Sequence, residues 1–264
     1  GLPLVVMLHG CTQDPDDFSA GTGMNALADE IGFAVLYPAQ ARDANPGRCW
    51  NWFKHNHQQR GRGEPAVLAG MTRAVMAEHG LDSRRVYVAG LSAGGAMAAV
   101  VAQAYPDLFA AVGVHSGLPT GAAKDMMSAL SAMKDGPGSR AARSSTPPLI
   151  VFHADDDGTV SPLNADALLA AALAGRADTV TGTATTATTA TTPQTSTGVT
   201  QRGRHFTRTR HQTADGRCIA EDWRLHGGGH AWAGGQAAGT YTDPAGPDAS
   251  REMLRFFLQH AKAD

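Results

Sequence analysis

Ser92, Asp157 and His230 have the side-chain types and the chain order that nucleophilic acyl transfer requires. A serine hydroxyl is a weak nucleophile near neutral pH. It becomes effective when an imidazole takes its proton while a carboxylate fixes the imidazole tautomer and stabilises the imidazolium. Ser92 is the centre of Gly90-Leu91-Ser92-Ala93-Gly94-Gly95, a G-x-S-x-G run. Apolar Val86 to Ala89 precede it and a helix-like run from Ala96 to Tyr105 follows. A strand that turns sharply into a helix lifts the serine hydroxyl above the end of a sheet, and Gly90 and Gly94 keep side chains out of that crowded turn. The first N–H groups of the helix then face any developing negative charge. The bare motif has little specificity in a chain with 31 glycines; the strand before it and the helix after it give it weight.

The order serine, acid, histidine is that of the α/β-hydrolase fold, in which the acid follows a later strand and the base follows the last one. Asp155-Asp156-Asp157 ends an apolar run from Leu149 to His153. The usual spacing, three residues before a valine, selects Asp157, with Val160 as the valine, over Asp155. A calcium loop is the rival use of such an acidic run, but Gly158 comes too early and no glutamate closes the loop. His230 follows Gly227-Gly228-Gly229 and is the expected base; His226 is its competitor. His205 and His211 lie in polar sequence and suit a surface. His55 and His57 form an H-x-H pair that either binds metal or sits solvated beside Lys54 and Arg60, and the second is favoured. The tetrahedral oxygen needs two preset donors. The Ala93 N–H, just after the nucleophile, and the Cys11 N–H, in the loop after the first strand, are the candidates, with His9-Gly10 shaping that turn. No residue cluster calls for a metal or a cofactor.

The elements that must position these residues follow from apolar periodicity. Residues 4–8, 33–37, 86–89, 111–115, 149–153 and 218–225 read as strands, and 19–31, 64–79, 96–105, 162–174 and 250–261 as helices. This alternation predicts an α/β fold, a mostly parallel sheet with helices on both faces, and one catalytic domain over residues 1–264. Residues 39–63 read as a long polar loop whose Trp50, Trp52 and Phe53 either cover the core or line a site. Residues 116–146 read as irregular, a cap or flank over the site. Residues 177–200, rich in Thr and Ala, read as a flexible low-complexity surface insertion. With 22 basic and 24 acidic residues and no basic stripe, nucleic acid is an unpromising partner. No apolar run approaches the roughly 20 residues of a membrane span. The chain begins at Gly1 without Met, so its native start is expected upstream and the lack of a visible signal peptide says little about export. Its three cysteines, Cys11, Cys49 and Cys218, forbid a fully paired set. Cys11 and Cys49 fall in loops expected at one end of the sheet and either pair or remain thiols.

With these pieces placed, the chain resembles the poly(3-hydroxybutyrate) depolymerase family of esterases. The resemblance rests on Leu8-His9-Gly10-Cys11-Thr12-Gln13, Cys49-Trp50-Asn51-Trp52-Phe53, Gly90 to Gly95, His153 to Val160, Gly229-His230-Ala231-Trp232 and Tyr241-Thr242-Asp243-Pro244 through Phe257. It implies an α/β-hydrolase domain, usually exported to the periplasm or medium, that cleaves hydroxyalkanoate esters without a cofactor. It also implies a Cys11–Cys49 disulfide, and Trp50 and Trp232 flanking the acyl or alcohol pocket. The expected substrate is therefore a polyester, its oligomers or a small ester. Feruloyl and acetylxylan esterases share the domain type and, with hydrolases of other aliphatic or aromatic polyesters, are the nearest alternatives; a binding protein on an inactive hydrolase scaffold is the remote one. Ala154 where the family usually has Gly, the dense aspartates and the Thr/Ala tract are departures. They touch neither Ser92 nor His230 and bear on substrate rather than mechanism. The chain ends at Asp264, soon after its last helix, with no linker to a binding domain, so weak action on crystalline polymer is expected.

Overall fold

The computed structural model describes residues 1–138, 146–174 and 191–263. Its longer strands are Leu4–Leu8 (β1), Ala34–Leu36 (β2), Val86–Leu91 (β3), Ala111–His115 (β4), Leu149–Ala154 (β5), Thr192–Val199 (β6), His205–Gln212 (β7) and Cys218–Leu225 (β8), while the two-residue strands Trp232–Ala233 (β9) and Thr242–Asp243 (β10) pair apart from them. The longer strands form one eight-stranded sheet in the order β2-β1-β3-β4-β5-β8-β7-β6. The six strands from β2 to β8 run parallel; β7 and β6 add an antiparallel hairpin at the edge. Helices Pro15–Thr22 (α1), Met24–Ile31 (α2), Gly63–His79 (α3), Ala93–Ala104 (α4), Met126–Asp135 (α5), Leu163–Ala174 (α6) and Ala249–Phe257 (α7) connect and cover it.

The continuous apolar runs of the central strands are explained by burial on both faces. Along β1, Leu4, Val6 and Leu8 face a core built with Leu68, Met97 and Leu168, whereas Val5 and Met7 face one built with Phe18, Met24 and Phe257. Trp50, Trp52 and Phe53 join the first core, so the aromatic loop covers the interior. Glu64, in the first turn of α3, anchors that loop by accepting from Asn51 N at 2.7 Å and from Gln40 Nε2 at 2.6 Å.

Three expectations need correction. The helix read over 19–31 is two helices: Gly23, at φ +63°, ends α1 and starts α2, a left-handed turn that glycine adopts without a Cβ penalty. Residues 116–146 are not wholly irregular, because α5 starts on a capping box in which Asp125 Oδ1 accepts from Ser128 N at 2.8 Å. Its exposed Met126, Met127 and Leu130 blur the apolar stripe that would have marked it. Residues 192–199, read as the end of a flexible insertion, are strand β6, paired along its length with β7. The stretch 177–190 lies outside the described residues. Since β7 pairs with β8, the strand at 218–225 is flanked on both sides and is not an edge.

Candidate active site

Ser92 sits between β3 and α4 at φ +57° and ψ −119°, a strained backbone for a residue with a side chain. The turn is fixed by close packing and by Ser92 N donating to His115 O at 2.9 Å. A Cβ on Gly94 would fall 2.0 Å from Leu8 O, and one on Gly90 2.4 Å from Gly94 C. These two positions therefore require glycine on steric grounds. Ala93 is the first residue of α4, where N–H groups have no intrahelical acceptor.

Asp157 and His230 meet across the loops after β5 and β8, with His230 Nδ1 2.8 Å from Asp157 Oδ2. The carboxylate's other oxygen accepts from Thr159 N and Val160 N, each at 2.9 Å. Burial works against its ionisation. Hydrogen bonds from His153 and His230 and from the Val160 N–H overcome that penalty and hold the carboxyl well below the ordinary aspartate range. β3, β4, β5 and β8 are successive neighbours in the sheet. The loops that carry Ser92, Asp157 and His230 all leave their carboxyl ends, where open parallel sheets bind ligands.

His226 has a separate partnership. Its Nδ1 lies 2.8 Å from Asp155 Oδ2 and its Nε2 2.8 Å from Thr207 Oγ1. Asp155 Oδ1 also accepts from Gly227 N at 2.8 Å. The two neighbouring aspartates thus divide their work, Asp155 tying the β5 and β8 loops together and Asp157 holding His230. His115 is fully buried; burial first, then the nearby His153 and His230, lower its pKa to about 3. Its Nε2 accepts from Ala233 N at 3.0 Å. One residue therefore braces Ser92 through its carbonyl and the chain after His230 through its ring. In the sequence Asp155 stands only as the rival acid and His153 only as part of the family motif, and the one signal for the roles of His115 and His153 is a polar side chain at the carboxyl end of an apolar strand.

Across from Ser92, His9 is buried and burial lowers its pKa. Its Nδ1 donates to Gly10 O at 2.8 Å and its Nε2 accepts from Gln40 N at 3.2 Å, so it shapes the turn that presents Cys11. A Cβ on Gly10 would lie 3.7 Å from Ser92 Cβ, which places this loop against Ser92. Cys11 and Cys49 form a disulfide, and Cys218 is a buried free thiol.

Trp50 and Trp232 correct the expected substrate walls: they are 3% and 1% exposed. Trp50 Nε1 donates to His9 O at 3.1 Å, and Trp232 Nε1 to Ser250 Oγ at 3.0 Å while its ring stacks on His115. Both serve packing. Tyr241 is the exposed aromatic of this region, at φ +51°, with its hydroxyl 3.2 Å from Thr12 Oγ1 beside Cys11. His55 and His57 form a short 3-10 turn, and His57 Nδ1 lies 3.6 Å from Glu64 Oε2. Among the described residues no group of three or more His, Cys, Asp or Glu side chains is arranged to hold a metal ion, and no helix is long and apolar enough to cross a membrane.

Residues 1–194 match the family model described as "Esterase PHB depolymerase". The chain belongs to this family. Among curated relatives, poly(3-hydroxyalkanoate) depolymerase C of Paucimonas lemoignei is 37% identical over 175 residues, 61% of this chain and 42% of that protein. Feruloyl esterase B of Thermothelomyces thermophilus is 34% identical over 128 residues, 48% of this chain and 43% of that protein. The chain thus spans less than half the length of these relatives. Among solved structures, an acetyl xylan esterase from Aspergillus awamori superposes with a TM-score of 0.69 at 20% identity, covering 98% of this chain and 89% of that one. At that identity the likeness shows the fold, a mostly parallel α/β-hydrolase sheet of the kind laid out above.

Proposed function

We propose that this family member is a serine esterase that hydrolyses poly(3-hydroxybutyrate)-type polyesters or their oligomers through an acyl-enzyme. The Asp157–His230 hydrogen bond of 2.8 Å, on the same sheet end as the strained Ser92 turn, carries the proposal. Asp157 holds Nδ1–H of His230, leaving Nε2 unprotonated to take the proton of Ser92 Oγ as that oxygen attacks the ester carbonyl. The N–H groups of Cys11 and Ala93 receive the charge on the tetrahedral oxygen. His230 then protonates the departing alcohol. Water, deprotonated by the same ring, releases the acid and restores Ser92. Tyr241 is the aromatic we assign to the substrate-facing rim, in place of Trp50 and Trp232. The disulfide supports an exported, oxidising setting.

The likeness to feruloyl esterase B supports a second reading with the same machinery and a carbohydrate ester as substrate. Wild type and Ser92→Ala should be incubated with amorphous poly(3-hydroxybutyrate), p-nitrophenyl butyrate and a feruloylated sugar, and the released acids quantified. Hydroxybutyrate monomer or dimer from wild type alone is the expected result. Release from the feruloylated sugar but not the polymer selects the second reading. No hydrolysis of any substrate by folded wild type points to a binding protein.

A further inference from the structure

Asp157 has a second imidazole beside it. His153, in β5, has its side chain completely shielded from solvent, as does Asp157. His153 Nε2 is 2.8 Å from Val160 O and 3.4 Å from Asp157 Oδ2. A carbonyl only accepts, so Nε2 carries the hydrogen and shares it between the carbonyl and the carboxylate. Nδ1 is then left with a buried lone pair and no hydrogen-bond partner. A buried unpaired polar atom is costly, and an apolar side chain of similar size would avoid the cost. What such a side chain would lack is the Nε2–H. The titratable groups that face His153 are Asp157 on the following turn, His115 on β4 and His230 on the loop after β8.

We propose that His153 is a positioning residue for the catalytic carboxylate: its Nε2–H ties the Val160 carbonyl to Asp157 Oδ2 and fixes the charge and orientation that His230 meets. It touches no substrate. The proposal rests on the assignment of Ser92, Asp157 and His230 made above. With His153 present, the negative charge on Oδ2 is divided between two ring donors. Without it, Oδ2 serves His230 alone and holds the imidazolium more tightly, so His230 gives up its proton at a higher pH. The 157–160 turn also loses a tie.

The experiment measures kcat/KM against pH on p-nitrophenyl butyrate for wild type, His153→Phe, His153→Gln and His153→Asn, with Ser92→Ala in parallel. The acid limb should move up in His153→Phe, with kcat/KM lowered about tenfold or more at neutral pH, the effect of one hydrogen bond to a charged group. Gln can place an N–H where Nε2 was and should restore the wild-type limb. The shorter Asn cannot, and should follow Phe; it serves as the test if Phe does not fold. The downfield proton resonance of the His230–Asp157 bond, which needs no turnover, should shift in Phe and Asn and return in Gln. An acid limb that stays in place or moves down in both Phe and Asn overturns the proposal while leaving the triad intact, provided Ser92→Ala is inactive. A fully active Ser92→Ala overturns the triad itself.

Discussion

Replacing both Cys11 and Cys49 with Ala is expected to cost about 4 kcal/mol of stability. The bridged residues are 38 apart in sequence, and constraining a loop of that length removes unfolded-state entropy worth about this much at room temperature. Both cysteines are only partly buried against the core, so the lost packing adds little. For a chain of 264 residues, typical unfolding entropies convert the loss into a melting temperature lower by about 7 °C. The two loops keep non-covalent ties. Thr12 N donates to Gly47 O at 2.7 Å, and Arg48 Nη1 lies 2.9 Å from Asp14 Oδ2. The loop presenting the Cys11 amide should therefore loosen rather than unfold, lowering kcat a few-fold. Calorimetry of the double variant, and of wild type with reductant, reads the shift. Thiol counting in denaturant confirms the state, with one thiol (Cys218) in the oxidised chain and three when reduced. A fully reduced protein melting within about 1 °C of the oxidised form would refute the reasoning.

Four other outcomes are expected. Asp157→Asn should leave the fold intact and lower kcat by about ten-thousand-fold, because the ring tautomer is no longer fixed; a loss under tenfold would contradict its role. His226→Ala should lower the unfolding midpoint while keeping most activity, since its partners are Asp155 and Thr207; loss of activity equal to that of His230→Ala would reverse the assignment of the base. Tyr241→Ala should raise KM more than it lowers kcat, and an unchanged KM would remove Tyr241 from the substrate rim. His115 has a folded pKa lowered from 6.5 to about 3, so its neutral-state stability is fully present above about pH 6.5 and is lost as pH falls toward about 3. At about 1.4 kcal/mol per unit, unfolding free energy should drop by roughly 3 kcal/mol from this group between neutral pH and about pH 4. His115→Gln, whose amide oxygen can still accept from Ala233 N, should show a correspondingly flatter acid dependence in urea titrations; an identical slope would exclude His115 as its source.

The parallel sheet was legible because β1, β3, β4 and β5 are apolar on both faces and read as unbroken runs. Ser92 and Asp157 stood out as candidates because each follows such a run at a glycine-rich or acidic turn, and His230 because it follows three glycines after the mixed strand β8; the structure brings Asp157 and His230 together. The Asp157 choice over Asp155 needed only spacing, and the structure gives each carboxylate its own histidine. What escaped was set by tertiary context. The β6–β7 hairpin has Thr, Ser and Arg on exposed or half-exposed faces, so it shows no apolar alternation, and its pairing is seen only against β8. Trp50 and Trp232 looked like substrate walls because aromatics in loops do either job; only the partners of their indole N–H groups tell which. His115 and His153 stand at the carboxyl ends of apolar strands, where the sequence does not show what their rings face.

The most direct test of the account is mass spectrometry of the protein after reaction with a fluorophosphonate probe. One adduct per chain, mapped to Ser92 and lost in Ser92→Ala and, on the same time scale, in His230→Ala, is the predicted result. Labelling at another residue, or none at Ser92 in the folded protein, would contradict it.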